Sequence, residues 1–338
     1  MNQLYYYETE STWAPYNLAM EEALLDSIAP GSPGCFLLWQ NSPSVIIGRH
    51  QNAVSEVNLP ELRKRGINLV RRMTGGGAVY HDLGNLNFSF ILPQAEGRDI
   101  KQLDLLEPII RHLGALGVQA AMEGRNDLSI PGHGKFSGLA SRQLPGKYQL
   151  HGTIMHDVDL SVLEHVLLVD PEKFKSKGVA SVRARVANLK SHIPVDLPAL
   201  WSGLRDSYDI APSPIEDQVK SRAKQLAEDK YSQDCWNIGA SPAADIFLKR
   251  RFSFGSLELH LGTKNNLITS AAITGDFLTP SNTPDQIPVE RLEKALLGLS
   301  ADRPLTWAAA WSGFDLAKVF YGQVDNREVT EWLGTEQA

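Results

Sequence analysis

The most informative stretch of this sequence is residues 71–82, RRMTGGGAVYHD. Three successive glycines reach backbone angles closed to other residues, so a ligand can approach the main chain and accept hydrogen bonds from its N–H groups. The guanidinium groups of Arg71 and Arg72 supply charge-assisted, bidentate hydrogen bonds of the kind that hold carboxylates and phosphates. The stretch therefore predicts an anion-binding loop between a strand at 67–70 and a strand at 86–90.

Two common phosphate-binding motifs do not fit this loop. A Walker loop requires Gly-Lys-Ser/Thr after its spacer, whereas Gly77 is followed by Ala78, Val79 and Tyr80. The dinucleotide fingerprint would need a third glycine where Tyr80 stands, and no strand-turn-helix pattern surrounds it. The alternatives left open are another kind of anion site and a structural turn that only joins two strands.

Length and composition favour a globular protein of two domains. The chain has 338 residues, which is too many for one compact core of ordinary size. Its formal net charge of -6 argues against nucleic-acid binding through bulk charge. It shows no secretory signal and no apolar run long enough to cross a bilayer, and two cysteines are too few for a disulfide framework. We therefore expect a cytoplasmic protein that binds neither nucleic acid nor membrane.

Hydrophobic periods indicate a mixed α/β domain followed by a smaller α+β unit. Helical and strand periods alternate through the first two thirds, with helices predicted at 16–25, capped by Ser11 or Thr12, and at 103–116. Asn58 and Gly66 bracket a further short helix. Strands at 252–260 and 267–274 follow a basic stretch, Lys249-Arg250-Arg251, that we interpret as a linker. The predicted domains are residues 1–246 and 251–338.

A predicted hairpin carries Asp127 on its first strand and Lys135 on its second. If Gly132-His133-Gly134 form a three-residue turn, Asp127 and Lys135 lie on the same face of the ribbon, and with a four-residue loop they do not. The sequence leaves this register open. An ammonium held between a carboxylate and a phosphate stabilises charge that develops at phosphorus or at a carboxyl oxygen. Asp127 would then ligate a magnesium ion or orient Lys135.

The remaining candidates are two histidines, a basic segment and two cysteines. His81 and His151 are most simply structural histidines. The basic segment 173–185 is either a solvated loop or a mobile loop that closes over an acidic ligand. Neither Cys35 nor Cys235 lies beside the glycines or the lysine hairpin in sequence, so a nucleophilic cysteine is hard to find.

Taken together, these motifs resemble the successive signatures of the bacterial lipoate-protein ligases. The signatures, in the order of that family, are residues 71–85, Arg125-Asn126-Asp127-Leu128, Lys135-Phe136-Ser137-Gly138-x-Ala140, His151-Gly152-Thr153 and 181–189. Residues 17–22 and 45–52 also match, and the unit from about residue 251 resembles the accessory domain of the family. The resemblance therefore covers nearly the whole chain.

The resemblance implies a fold and a reaction. The fold is α/β (α+β), with a mixed-sheet catalytic domain like that of biotin and lipoate ligases and a smaller α+β C-terminal domain. The reaction activates lipoate with ATP and Mg²⁺ to lipoyl-adenylate, and then transfers the lipoyl group to a lysine of an acceptor. The implied acceptors are lipoyl domains of the 2-oxoacid dehydrogenase E2 type or glycine-cleavage H-proteins. We also expect a monomer. Because the interpreted linker Lys249-Arg250-Arg251 is short and basic, we expect the C-terminal unit to reorient between the two half-reactions.

The resemblance also assigns roles to individual residues. Lys135 and Asp127 would carry the catalysis, with Asp127 as the metal ligand, and the 173–185 loop would fold over the intermediate. The implied ATP-binding residues are Arg72, Gly77, Ala78, Val79, Tyr80, Lys135 and Arg183. The implied lipoate-binding residues are Arg72, Gly75, Gly76, His81, Lys135, Ser137, Gly138 and His151.

Three rival functions are weaker on the sequence. An octanoyltransferase of the same fold uses a cysteine thioester, and no cysteine is found at the site. A biotin ligase would need a Gly-Arg-Gly-Arg-x-Gly-Arg loop, which is missing. A non-catalytic paralogue that holds lipoylated domains would be expected to lose Lys135 or Arg72. Leu139 departs from the family, where the position is more often small or polar, so the choice between lipoate and octanoate stays open.

Overall fold

The computed structural model describes residues 4–94, 100–124, 126–168, 186–210, 212–239, 242, 244–279 and 287–335. Its strands are β1 (Leu4–Glu8), β2 (Gly34–Trp39), β3 (Ser44–Ile47), β4 (Asn68–Arg71), β5 (Val79–His81), β6 (Asn85–Pro93), β7 (Ala121–Glu123), β8 (Asp127–Ile130), β9 (Gly134–Leu144), β10 (Lys147–Met155), β11 (Ile246–Phe252), β12 (Gly255–Lys264) and β13 (Leu267–Gly275).

Its α-helices are α1 (Ala14–Ser27), α2 (Ala53–Glu56), α3 (Leu59–Arg65), α4 (Gln102–Ala115), α5 (Leu160–Val166), α6 (Leu197–Asp206), α7 (Asp217–Leu226), α8 (Asp234–Asn237), α9 (Val289–Leu296), α10 (Pro304–Ser312) and α11 (Asn326–Thr335). Short 3₁₀ turns cover Leu189–Ser191 and Leu316–Lys318, and one π-helical turn covers Ala227–Tyr231.

The described strands form two sheets in the first part of the chain and one in the last part. The large sheet has the order β1-β2-β6-β10-β9-β8-β7. Its β1–β2 pair is parallel, and its other neighbouring strands are antiparallel. The small sheet has the order β4-β3-β5, with β3 parallel to β4 and antiparallel to β5. The third sheet, β11-β12-β13, is antiparallel. These mixed sheets and the helices on them confirm the predicted α/β class.

Helices cover both faces of the large sheet. Successive residues of a strand point to opposite sides, so one strand contributes to two cores. On β2, Phe36 and Leu38 pack with α4 and α6, whereas Leu37 and Trp39 pack with α1 and α7. Ile46 of the small sheet belongs to the second of these cores. The α1 side of the large sheet therefore faces the small sheet, and the glycine-rich stretch lies between them.

Local signals predicted some boundaries well and others wrongly. Asn58 caps α3 by accepting from the Glu61 N–H, and Gly66 ends it at a φ of 64°, as expected. The predicted cap of α1 is wrong, because the helix begins at Ala14 and its N-cap, Trp13, makes no side-chain cap bond. Proline in the first turn fixes that start, since its preset φ and missing N–H suit the first helical positions.

The stretch that we interpreted as a linker is part of a sheet. Lys249, Arg250 and Arg251 lie inside β11, where they pair with Glu258, Leu257 and Ser256 of β12. The linker interpretation is therefore wrong, and the division at 246–251 remains a prediction. None of the helices in the described ranges is both long enough and apolar enough to span a membrane.

Candidate active site

A cavity of about 110 Å³ lies between the large sheet and the small sheet. Part of its wall is apolar and is formed by Leu18, Trp39, Ile46, Val79, Leu139 and Ala140. The remainder is polar, and it includes the glycine loop (residues 72–77) on one side and Lys135 of β9 on the other. The arrangement suits a ligand with an apolar tail and a charged head.

The structure brings most of the predicted site residues to this cavity. Those that line it are Arg72, Gly76, Gly77, Ala78, Val79, His81, Lys135, Gly138 and His151. Gly75, Tyr80, Asp127 and Ser137 are not among the lining residues, although each directly precedes or follows one of them or is bonded to one. Arg183 and the 173–185 loop lie outside the described residues.

The glycine loop is held by close backbone contacts. Gly76 has a φ of +93°, a conformation that favours glycine. A Cβ on Gly48, which follows β3, would lie 2.0 Å from the carbonyl oxygen of Gly76. The Arg49 N–H also donates to the Thr74 carbonyl at 2.8 Å. The segment after β3 therefore fixes the shape of the loop.

We expect Gly48→Ala to distort this loop and to lower the free energy of unfolding by about 1–3 kcal/mol, the usual cost of overpacking. The atom that must move is a backbone oxygen, which cannot rotate away. Gly77→Ala is the matched control, because its Cβ would meet no atom within 4 Å. Urea unfolding of both variants checks this. Equal midpoints for Gly48→Ala and wild type would show that the loop yields freely.

Arg72 stabilises the glycine loop through hydrogen bonds to three of its residues. Its guanidinium is buried and donates to the Thr74 hydroxyl at 3.0 Å, to the Gly75 carbonyl at 2.7 Å and to the Gly77 carbonyl at 2.9 Å. Burial lowers the pKa of Arg72 to about 10, so the group stays charged at neutral pH. Arg72 thus carries positive charge to the cavity wall while it orders the loop.

Arg71 is not among the residues that line the cavity, so the prediction that both arginines face the anion is wrong. Its side chain is fully buried and donates to the backbone carbonyls of Gly48, Arg49, Gln51, Trp236 and Asn237. Neighbouring residues at the end of a strand point to opposite sides. Arg72 therefore faces the cavity, and Arg71 joins the segment after β3 to α8.

Lys135 and Asp127 form an ion pair beside the cavity. Lys135 Nζ lies 2.7 Å from Asp127 Oδ1, and both side chains are partly exposed. The hairpin loop is Pro131-Gly132-His133, which is neither of the two registers considered from the sequence. Lys135 pairs with Ser129, which is two residues from Asp127 on the same strand, so both side chains lie on the same face. A bulge follows where the pairing steps to Leu128–Ser137.

Gly138 leaves room for the lysine. A Cβ at this position would lie 2.8 Å from Lys135 Nζ. The Gly138 N–H donates to Thr153 Oγ1 at 3.0 Å, which ties the lysine strand to β10. The ammonium therefore rests over bare backbone at the cavity wall, where it can meet an anion.

A buried polar network beneath the cavity was missed by the sequence analysis. Glu21 of α1 accepts from His151 Nδ1 at 2.9 Å and from the Ser89 hydroxyl, and Trp39 Nε1 donates to Ser89 Oγ at 2.9 Å. His151 Nε2 bonds the Thr74 hydroxyl at 2.8 Å. The network joins α1 and the large sheet to the glycine loop, and both ring nitrogens of His151 are used in it.

One sequence signal could have found Glu21. It stands three residues after Leu18 and four before Leu25, so a helix places it on the apolar side between two buried leucines. A carboxylate on such a face needs a buried partner. His151, which matches that need, could not be assigned from sequence because it lies on a distant strand.

The C-terminal unit touches the glycine loop. The Gly76 N–H donates to the Phe277 carbonyl at 3.4 Å, and the Gly275 N–H donates to the His50 carbonyl at 2.9 Å. The rings of His50 and Phe277 stack with centroids 5.0 Å apart. Burial, together with the charges of Arg49 and Arg71, lowers the pKa of His50 to about 4, so this ring is neutral in the contact.

Comparison with known proteins gives the family of this chain. Residues 14–201 match the family "Lipoyl protein ligase A/B catalytic domain", and residues 241–333 match the family "Bacterial lipoate protein ligase C-terminus". The chain belongs to the lipoate-protein ligase family. The first match contains the glycine loop, Lys135 and the described cavity, so the site lies in the catalytic part of the family.

Relatives in this family match over nearly their whole length. Lipoate-protein ligase 1 of Staphylococcus aureus is 35% identical over 320 residues, which is 93% of this chain and 94% of the relative. Lipoate-protein ligase LplJ of Bacillus subtilis is 33% identical over 326 residues, which is 94% of this chain and 96% of the relative.

Solved structures of lipoate-protein ligases share the fold. LipL1 of P. falciparum has a TM-score of 0.78 at 23% identity and covers 98% of this chain and 100% of its own. A lipoate-protein ligase A bound with ATP has a TM-score of 0.61 at 29% identity and covers 71% of this chain and 99% of its own. A bipartite ligase from Thermoplasma acidophilum, studied with its E2 lipoyl domain, has a TM-score of 0.63 at 32% identity and covers 73% of this chain and 100% of its own.

Proposed function

We propose that this protein is an ATP-dependent lipoate-protein ligase. It activates lipoate to lipoyl-adenylate and then transfers the lipoyl group to a lysine of an acceptor domain. The observation that carries the proposal is one cavity with an apolar wall, Lys135 on one side and the glycine loop on the other. A fatty acid and a nucleotide phosphate meet at such a place because their two negative charges need cations and main-chain donors.

The family supports the choice of both substrates. The ligase A structure that shares this fold at 29% identity is bound with ATP, and the curated relatives are named lipoate-protein ligases. We assign the nucleotide to Arg72, Gly77, Ala78, Val79, Tyr80, Lys135 and Arg183. We assign lipoate to Arg72, Gly75, Gly76, His81, Lys135, Ser137, Gly138 and His151.

The reaction then has two displacements at one place. In the first, a carboxylate oxygen of lipoate bonds to the α-phosphorus of ATP, and the bond to the β-phosphate breaks with release of pyrophosphate. In the second, the amine of an acceptor lysine bonds to the acyl carbon, and the bond from that carbon to AMP oxygen breaks. Lys135 neutralises the carboxylate and the phosphate as they approach, and Asp127 orients its ammonium.

The two cysteines argue against the octanoyltransferase. That enzyme would need a thiolate in the cavity, and neither Cys35 nor Cys235 lines it. Cys35 is buried, and burial raises the pKa of its thiol to about 12. A thiol with that pKa is almost entirely protonated at neutral pH, so it is a poor nucleophile.

Magnesium fits this site only as an ion carried by the nucleotide. Within the described residues, no group of three His, Cys, Asp or Glu side chains could hold a metal. Asp127 offers one carboxylate, and one of its oxygens already faces Lys135. Mg²⁺ is commonly bound by one or two carboxylates together with substrate phosphates. When bound, it would neutralise phosphate charge, with Asp127 as its protein ligand.

The proposed partners are lipoyl-domain proteins. The archaeal ligase that shares this fold at 32% identity was studied with its E2 lipoyl domain, which supports this class of acceptor. Within the class we propose E2 lipoyl domains or H-proteins, a monomeric enzyme and a cytoplasmic location. Reorientation of the C-terminal unit is supported by the bond from the Gly76 N–H to the Phe277 carbonyl, because this bond must break before that N–H can bind a ligand.

Two measurements test this function. We expect purified protein to release pyrophosphate from ATP and Mg²⁺ only when lipoate is added, since the carboxylate is the attacking group. We also expect mass spectrometry of an acceptor domain, incubated with ATP and equal lipoate and octanoate, to show added acyl mass and the preference between the two acids.

The outcomes separate the rival functions. Octanoyl transfer from an acyl carrier without ATP, with no lipoate-dependent pyrophosphate, would establish the octanoyltransferase instead. Binding of lipoylated domains with neither reaction would establish a non-catalytic paralogue.

A further inference from the structure

Two buried side chains at the cavity carry polar atoms that have no partner among the described residues. These atoms are Nε2 of His81 on β5 and Nδ2 of Asn87 on β6. His81 is 3% exposed and Asn87 is 1% exposed, and both line the cavity. A buried polar group without a partner costs free energy, so such atoms are usually paired with a ligand or with water.

The hydrogen bonds around His81 determine which nitrogen carries its proton. The Asn17 amide nitrogen donates to the carbonyls of Ser11 and Gln40 and to Asn41 Oδ1, each within 3.0 Å. Asn41 therefore turns its Nδ2 toward His81 Nδ1, which lies 3.1 Å away and must accept. The proton of the neutral ring is then on Nε2, which becomes a donor toward the cavity.

His81 stays neutral at every physiological pH. Burial, with the charges of Arg72 and His151, lowers its pKa to about 3. A neutral ring donates one hydrogen bond but does not attract an anion by charge. Its counterpart Asn87 is also a neutral donor, because its Oδ1 accepts from Asn85 Nδ2 at 3.0 Å and its own Nδ2 remains available.

The position of the two donors suggests which ligand atom they meet. Asn87 pairs with Trp39 on one side and with Thr153 on the other, and Thr153 bonds Gly138, over which Lys135 rests. The Trp39 ring lies edge-on to the His81 ring at 6.3 Å. The donors therefore lie between the charged end of the cavity and its apolar wall.

We propose that His81 Nε2–H and Asn87 Nδ2–H form a donor pair for the carbonyl oxygen of the acyl group in the acyl-adenylate. This inference rests on the proposed function. The phosphate has Lys135 and the glycine loop as partners, whereas an uncharged oxygen at the start of an apolar chain is best met by neutral donors. The same oxygen gains negative charge when an amine attacks the acyl carbon, and preorganised donors are then worth more.

The test uses two stable adenylate mimics that differ in one oxygen. The first is the adenosine ester of a β-ketophosphonate, in which CH₂ replaces the oxygen between an octanoyl group and phosphorus. The second is the same compound with the ketone reduced to CH₂, so both carry the same charge. We expect calorimetry to show that wild-type protein binds the ketone about tenfold more tightly, a typical value for one or two buried hydrogen bonds.

The variants are Asn87→Asp, Asn87→Leu and His81→Phe, and we expect each to bring the affinity ratio toward one. Asn87→Asp keeps the oxygen that accepts from Asn85 but has no amide donor. His165→Phe, on the exposed side of α5, is the matched control and should keep the wild-type ratio. Because the readout is a ratio, a uniform loss of affinity cancels.

Each result decides between the two claims. If wild-type protein binds both mimics equally, or if all three variants keep the tenfold ratio, the donor pair is refuted and the ligase function stands. If wild-type protein binds neither mimic, the proposed function fails and the donor pair fails with it.

Discussion

Lys135→Ala is expected to abolish adenylate formation while the protein stays folded. In the proposed function, Lys135 is the ammonium that meets both the lipoate carboxylate and the nucleotide phosphate. Loss of one preorganised donor costs about 10²- to 10³-fold in rate, and loss of a charge between two anions should cost at least this much. Lipoate-dependent pyrophosphate release measures the effect directly.

The fold should tolerate this change because the ion pair is exposed to solvent. The Lys135 side chain is 30% exposed and that of Asp127 is 22% exposed, and such pairs contribute roughly 0–1 kcal/mol. Lys190→Ala, which breaks the more exposed pair with Asp157, is the control and should leave the rate unchanged. Wild-type pyrophosphate release by a folded Lys135→Ala protein would show that the role is misassigned.

Arg71→Met is expected to destabilise the protein by about 3 kcal/mol or more. The substitution removes the donors to five backbone carbonyls, of which the Gly48 carbonyl keeps the Gln51 N–H as a second donor. Each buried group left unpaired costs about 1–3 kcal/mol. Methionine has similar length, so loss of packing is a minor part of the effect. The midpoint of urea unfolding, with the slope checked against wild type, measures the loss.

A surface arginine gives the comparison. Arg111 is 68% exposed and pairs with Glu107 within its own helix, so Arg111→Met should change stability by less than about 0.5 kcal/mol. If Arg71→Met unfolds like wild type but no longer binds ATP, then Arg71 is an anion ligand after all, and its role in joining segments is wrong.

The sequence predicted this part of the fold through short-range signals. Asn58 and Gly66 placed α3, and the glycines at 75–77 placed the loop between two strands. Each of these signals acts on residues no more than about one helical turn away, so it can be recognised in the local sequence. The pair Arg71 and Arg72 shows where such reasoning ends. The alternation of a strand separates the two side chains, but only the packed structure shows which side holds the cavity.

Two further features could not be derived from the sequence. The approach of Lys135 to Asp127 follows from the register that pairs Lys135 with Ser129, and the sequence around the turn left that register open. The partners of Glu21 come from β6 and β10, so its burial can be suspected from α1 but its bonds cannot be derived. Asn87 was overlooked for the same reason.

The seating of Phe277 and Gly275 against the segment after β3 has a consequence for chimeric proteins. A Cβ on Gly75 would lie 2.7 Å from the Phe277 carbonyl, so one end of the chain restricts which residue the other end can carry. A chimera that combines the N-terminal part of one enzyme with the C-terminal unit of another would therefore need the Gly75 segment and the Phe277 segment from the same parent. The catalytic part and the C-terminal unit are therefore not independently exchangeable modules.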